Sequence, residues 1–117
     1  MRLSIQFYEI ENLLIGFIKG EIDIHTAPML KDEFESIVLS EGMIIELDLS
    51  KVIYMDSSGL AVIVALYKRV IKEKVDLKLV LSERITRMFK ITGLSEFMDI
   101  EMGRANKCKL GLSNINN

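Results

Sequence analysis

Tyr54-Met55-Asp56-Ser57-Ser58-Gly59-Leu60 is the stretch on which the reading of the whole chain turns. Before it stands Ile44-Ile45-Glu46-Leu47-Asp48-Leu49, short and apolar-rich, the pattern of a strand. After it, residues 60–74 are long and periodic enough for a helix. Asp-Ser-Ser-Gly therefore falls where a strand hands over to a helix. A serine there can cap the helix, because its oxygen faces unpaired N–H groups of the first turn. The positive end of the helix dipole lies at the same place. A phosphate on that serine would meet the same donors as the hydroxyl. Its oxygen is thus a cap, a switch, or both.

Working outward, the helix after the motif is apolar all round in its first two turns. Leu60, Ile63, Val64, Tyr67, Val70 and Ile71 share one face, the expected core face. Val62, Ala65 and Leu66 lie on the other side, followed there by Arg69 and Glu73. A helix apolar all round is buried on both sides. Either a C-terminal helix covers the second face, or a partner docks there beside the serines.

Upstream, residues 5–10 and 13–18 are two β-type runs separated by Glu11-Asn12, which suggests a hairpin. Gly20 interrupts before Glu21-Ile22-Asp23-Ile24. Thr26-Ala27-Pro28 reads as a helix start, with Thr26 as cap. Leu30, Phe34, Ile37 and Val38 form one apolar face of that helix. Downstream, residues 75–81 are a strand, Ser82 caps a short helix over 83–91, and Gly93 suits a position needing positive φ. Residues 97–102 read as a short strand and 104–112 as a final helix before a frayed tail. Strands and helices alternate, so the expected architecture is α/β: a single domain over residues 3–102, with a small mixed β-sheet and helices packed mainly on one face. Residues 103–117 form a C-terminal helix and tail outside it.

At 117 residues, 50% hydrophobic and 27% charged, the chain can build one real core. Its formal charge is −2 with no basic stripe, which argues against nucleic acid. The single cysteine, Cys108, excludes an intrachain disulfide, and no Cys/His cluster offers a zinc site. The N-terminus lacks the apolar run of a signal peptide, and residues 60–67 are too few to span a bilayer. A soluble cytoplasmic protein without a cofactor or membrane contact is expected.

Four blocks, in this order and spacing, resemble the STAS domain: Gly20-Glu21-Ile22-Asp23, residues 48–52, residues 54–60 and residues 88–94. The chain is most similar to the stand-alone bacterial anti-sigma factor antagonists. That resemblance implies partner switching. The unphosphorylated protein binds an anti-sigma factor that is also a serine kinase, sigma factor is released, phosphorylation ends the interaction, and a phosphatase restores it. It implies that Ser57 is the phosphoacceptor and that Asp23 is an acidic residue near it. Ala61 departs from the glycine many members carry. No sigma pathway can be singled out, and a monomer is expected when the protein is free.

The expected contact surface comprises Asp23, Asp56, Ser58, Gly59, Val62 and Leu66. Each has a plainer reading. Asp56 serves equally as a turn or cap carboxylate, or as a group that orients the Ser57 hydroxyl or contacts the kinase. Ser58 is a second cap or an alternative phosphosite. Glu21 and Asp23, two apart on a strand, face the same way and are ordinarily solvated. His25 has no second ligand nearby, and Cys108 reads as incidental. The lack of a G-x-S-x-G elbow, and of a base for Ser57 other than the lone His25, argues against a serine hydrolase. A non-phosphorylated scaffold remains open, as does a nucleotide-binding module, although no Walker A sequence is present.

Overall fold

The computed structural model describes residues 2–103, so the expected helix over 104–112 and the tail lie outside the described residues. Strands β1 (Leu3–Ile10) and β2 (Leu13–Ile22) form the hairpin. They are followed by α1 (Ala27–Glu35), β3 (Ile44–Met55), α2 (Ser57–Lys72), β4 (Asp76–Leu81), α3 (Glu83–Ile91), a 3₁₀ turn at Leu94–Glu96, and β5 (Asp99–Met102). The sheet order is β1-β2-β3-β4-β5. β1 is antiparallel to β2, and every other pairing is parallel, which makes the sheet mixed. Each parallel crossover steps one strand in the same direction. Right-handed crossovers then place all three helices on one face.

The strands' alternation builds the core against those helices. Ile45, Leu47 and Leu49 of β3, Leu79 and Leu81 of β4, and Ile18 and Ile22 of β2 are buried. They meet Leu30 and Phe34 of α1, Ile63 of α2, and Ile85 and Phe89 of α3 in one cluster. The opposite face carries Glu46, Asp48 and Lys78, with Lys78 Nζ 2.6 Å from Glu101 Oε1, and an edge-on Tyr8–Phe17 pair.

β3 is longer than its apolar run suggests. Residues 50–54 stay paired with β2, ending at Ile22↔Met55, but only through register shifts between Phe17 and Lys19 and between Gly20 and Glu21. After the shifts, the buried positions of β3 are Val52 and Met55. α1 is shorter than its pattern suggests. The half-buried Arg69 of α2 donates to Phe34 O at 3.0 Å and Ile37 O at 2.8 Å, taking carbonyls at the helix end. Val38 is therefore exposed in the loop and is not part of a helical face. Thr26 stands at the cap position but makes no side-chain cap; its hydroxyl donates to Glu21 O at 2.8 Å instead. Ser82 does cap α3, through the Ile85 N–H, and Gly93 has φ +82°.

Gly20 has φ +118°, and a Cβ there would lie 2.0 Å from the carbonyl oxygen of Arg2. That carbonyl accepts from Glu21 N at 2.8 Å, which ties the N-terminal residues to the end of β2. Gly20→Ala is expected to cost roughly 2–4 kcal/mol, through strain and backbone overlap together. Urea denaturation at unchanged m reads this as a lower midpoint; a loss below about 0.5 kcal/mol, the range of neutral surface changes, would contradict the contact.

Candidate functional site

The end of β3 and the first turn of α2 form the site. Met55 is buried and anchors the strand end. Asp56 has extended backbone, φ −106° and ψ −170°, and donates its N–H to Ile22 O at 3.2 Å. Its Oδ1 accepts from Ser58 N at 2.9 Å and Gly59 N at 3.4 Å. Asp56, not a serine, is therefore the helix cap, which decides between the caps that the sequence offers. The reason is position. Asp56 is the last non-helical residue, so its carboxylate reaches the second and third amides of the helix. Ser57 is already helical and exposed. Among the described residues, none holds its hydroxyl.

Ser58 is half-buried, and its backbone amide rather than its side chain makes the cap contact. Gly59 is buried, and it is a packing residue. A Cβ would lie 2.5 Å from Ile22 Cγ2 and 2.9 Å from Met55 Cγ. The first turn of α2 thus lies directly on the ends of β2 and β3. This corrects its expected place in the contact surface.

That seating sets the rotation of α2 and overturns the expected docking patch. Val62 is 9% exposed and Leu66 is 2% exposed. Both face α1, lining the helix–helix groove with Lys31, Phe34, Glu35 and Arg69. The true core face is Gly59, Val62, Ile63, Leu66 and Val70. Ile71, expected inside, is exposed, while Leu60, Val64 and Tyr67 are only partly buried. The outward stripe is Ser57, Leu60, Ala61, Val64, Ala65 and Lys68, which line one open depression. A signal for it was present in the sequence. Ser57 and Lys68 are eleven residues apart, about three turns, so the two polar residues mark one side of an otherwise apolar helix. Ile24, Ile53 and Tyr54 add exposed apolar surface at the neighbouring strand ends.

Asp23 is held internally. Its Oδ1 accepts from His25 N at 2.8 Å and Thr26 N at 3.1 Å, forming the turn into α1. Its Oδ2 accepts from the guanidinium of Arg2, which also reaches Glu21 Oε1 at 3.3 Å. The structure therefore brings Asp23 close to Asp56, through the Ile22–Asp56 bond, but commits its carboxylate to the turn. Arg2 carries no signal in the sequence, because only the Gly20 contact brings it there. His25 is exposed, and no metal-binding group of His, Cys, Asp and Glu occurs among the described residues. No described helix is long and apolar enough to cross a membrane.

A small mixed sheet with helices on one face finds its match in known proteins. Residues 4–108 match the STAS domain. This chain belongs to the STAS domain family. The anti-sigma-B factor antagonist of Listeria monocytogenes is 41% identical over 103 residues, covering 86% of this chain and 90% of that protein. The Bacillus subtilis anti-sigma-B factor antagonist is 40% identical over 101 residues, covering 86% and 92%. An anti-sigma factor antagonist from Mycobacterium paratuberculosis superposes with a TM-score of 0.74 at 26% identity, covering 84% of each chain. The anti-sigma factor antagonist SpoIIAA in its unphosphorylated form shares the fold, with a TM-score of 0.67 at 13% identity over 86% of this STAS chain and 90% of SpoIIAA. The curated relatives are regulatory antagonists, not enzymes.

The two sides of α2 are expected to respond differently to substitution. Leu66→Ala should cost about 2–5 kcal/mol by leaving a cavity, whereas Ala61→Ser should stay within about 0.5 kcal/mol. Thermal and urea denaturation of both variants check the assignment, and equal losses would contradict this rotation of α2.

Proposed function

We propose that this STAS protein is a cytoplasmic anti-sigma factor antagonist, switched by phosphorylation of Ser57. Unphosphorylated, it binds an anti-sigma factor that is also a serine kinase, and sigma factor is freed. Phosphorylated, it lets go, and a phosphatase acting on phosphoserine resets it. The names of its relatives support the antagonist role.

One observation carries the switch: Ser57 is exposed and uncommitted, because Asp56 does the capping, and it stands at one end of the apolar stripe. The stripe suits the apolar centre of a protein interface. Leu60, Ala61, Val64 and Ala65 take the docking role, with Asp56 and Ser58 at its edge and Val62 and Leu66 supporting it from behind. A phosphate on Ser57 adds about −1.5 to −2 charge at neutral pH. The amides of the first turn already serve Asp56, so the new charge lies beside a carboxylate. Free in water, the helix dipole and solvent accommodate it. Inside a contact it must be desolvated next to Asp56, which costs several kcal/mol. The fold survives and the complex does not. SpoIIAA keeps this same fold in its phosphorylated form, with a TM-score of 0.60 to this chain.

Ser57→Ala should abolish phosphate incorporation and keep partner binding, while Ser57→Asp should weaken binding by about tenfold or more, equivalent to 1.4 kcal/mol. Ser58→Ala should still be phosphorylated. Phosphopeptide mass spectrometry and pull-downs with the candidate kinase read all three; phosphate on Ser58 alone, or full binding by Ser57→Asp with no phosphate found, would sink the switch. Ala61→Glu places a charge on the stripe, so it should reduce binding at least about tenfold while leaving stability within roughly 0.5 kcal/mol. Calorimetry and thermal melting test that separation.

A further inference from the structure

We propose that Arg2 is a positioning residue of the switch, holding Glu21 and Asp23 beside the Ser57 turn and offsetting their charge for the incoming kinase. The inference rests on Ser57 being the phosphoacceptor. The backbone brings Arg2 to the site: its carbonyl accepts from Glu21 N at 2.8 Å, and Gly20 leaves the space for it. The guanidinium then spans both carboxylates, Nε to Glu21 Oε1 at 3.3 Å and Nη2 to Asp23 Oδ2. Asp23 Oδ1 is occupied by the turn to His25 and Thr26, so Arg2 takes the oxygen that the turn leaves. This turn is joined to the switch, because Ile22 O accepts from Asp56 N and the Ile22 side chain packs on Gly59.

Glu21 and Asp23 thus flank Ile22, whose carbonyl accepts from the N–H of Asp56, the residue before Ser57. The described ion pairs of Glu21 and Asp23 are both with Arg2. A kinase approaches this surface carrying the phosphates of ATP, and the product adds a further dianion. Without Arg2, Glu21 and Asp23 lose the cation that faces them, and the surface meets that negative charge with one positive charge fewer. Repulsion of this kind acts on encounter and binding, and salt screens it. It leaves the phosphoryl-transfer step itself alone. The Arg2 side chain is 47% exposed, so its ion pairs contribute little to stability. That separates a positioning role from a structural one.

The test is phosphorylation kinetics of the full chain with its cognate kinase and Mg-ATP, using wild type, Arg2→Ala and Arg2→Lys. Arg2→Ala should raise KM about three- to tenfold at low salt with kcat within about twofold. Arg2→Lys should bring KM to a value between those of wild type and Arg2→Ala, since it restores the charge without the guanidinium fork. The difference should close at about 0.5 M salt, with melting temperatures unchanged. If wild type is phosphorylated on Ser57 and Arg2→Ala has the same KM, the Arg2 role is overturned and the Ser57 reading stands. A loss that persists at every salt concentration, follows a lowered melting temperature and is not rescued by lysine makes Arg2 merely structural and overturns the proposal too. A wild type that no anti-sigma kinase phosphorylates overturns the Ser57 reading, and this inference with it.

Discussion

The contact of Gly59 with Ile22 and Met55 is the constraint on which the site depends. A side-chain carbon at residue 59 would overlap both neighbours, so the backbone of α2 rests directly on the ends of two strands. The Asp56 N–H to Ile22 carbonyl bond closes the same joint from the strand side. Once the first turn is seated, the helix cannot rotate about its axis. Val62, Ile63, Leu66 and Val70 are then turned inward, and Ser57 is turned out. The cap follows from the same seating: Asp56 is the last extended residue, and its carboxylate meets the amides of Ser58 and Gly59.

Because α2 cannot turn, its two apolar sides acquire different work. The inner side packs on the sheet and on α1, and Arg69 strengthens that joint by donating to carbonyls at the end of α1. The outer side has no such partner among the described residues. Its small side chains, Ala61 and Ala65, keep it open, so another protein's side chains can approach the helix closely beside Ser57. The buried and the open side of this helix thus lie opposite one another. A charge added at Ser57 falls on the open side alone, away from the core.

The strand ends supply the electrostatic setting. Asp23 organises the turn into α1 with one oxygen and is held by Arg2 with the other. Its carboxylate is therefore committed to the turn and to Arg2. Such an arrangement fits a regulator better than a catalyst. Among the described residues none holds the Ser57 hydroxyl as a catalytic base would, and Asp56 spends its carboxylate on the cap.

Much of this was legible in the sequence. Alternating Ile45, Leu47 and Leu49, and the run Leu77 to Leu81, identify their strands, and a strand–helix alternation with right-handed crossovers leaves few arrangements for the rest. The four family blocks were equally readable, and with them the place of Ser57. Local pattern determines these features, because each depends on residues close together in the chain. The rotation of α2 was not legible: Leu60, Val62, Ile63, Val64, Ala65 and Leu66 make every side of its first turns apolar, so periodicity carries no phase. Contact between Gly59 and Ile22, 37 positions apart in the numbering, decided it. The same holds for Asp56 over Ser57 as cap, and for Arg2 over Asp23, since each depends on how β2 meets its neighbours. By itself the sequence determined the α/β order, the family and the serine at the turn. Only the tertiary structure decided which side of that serine's helix stays open, because steric contact between distant residues, and not hydrophobicity along the chain, sets the angle of a helix on a sheet.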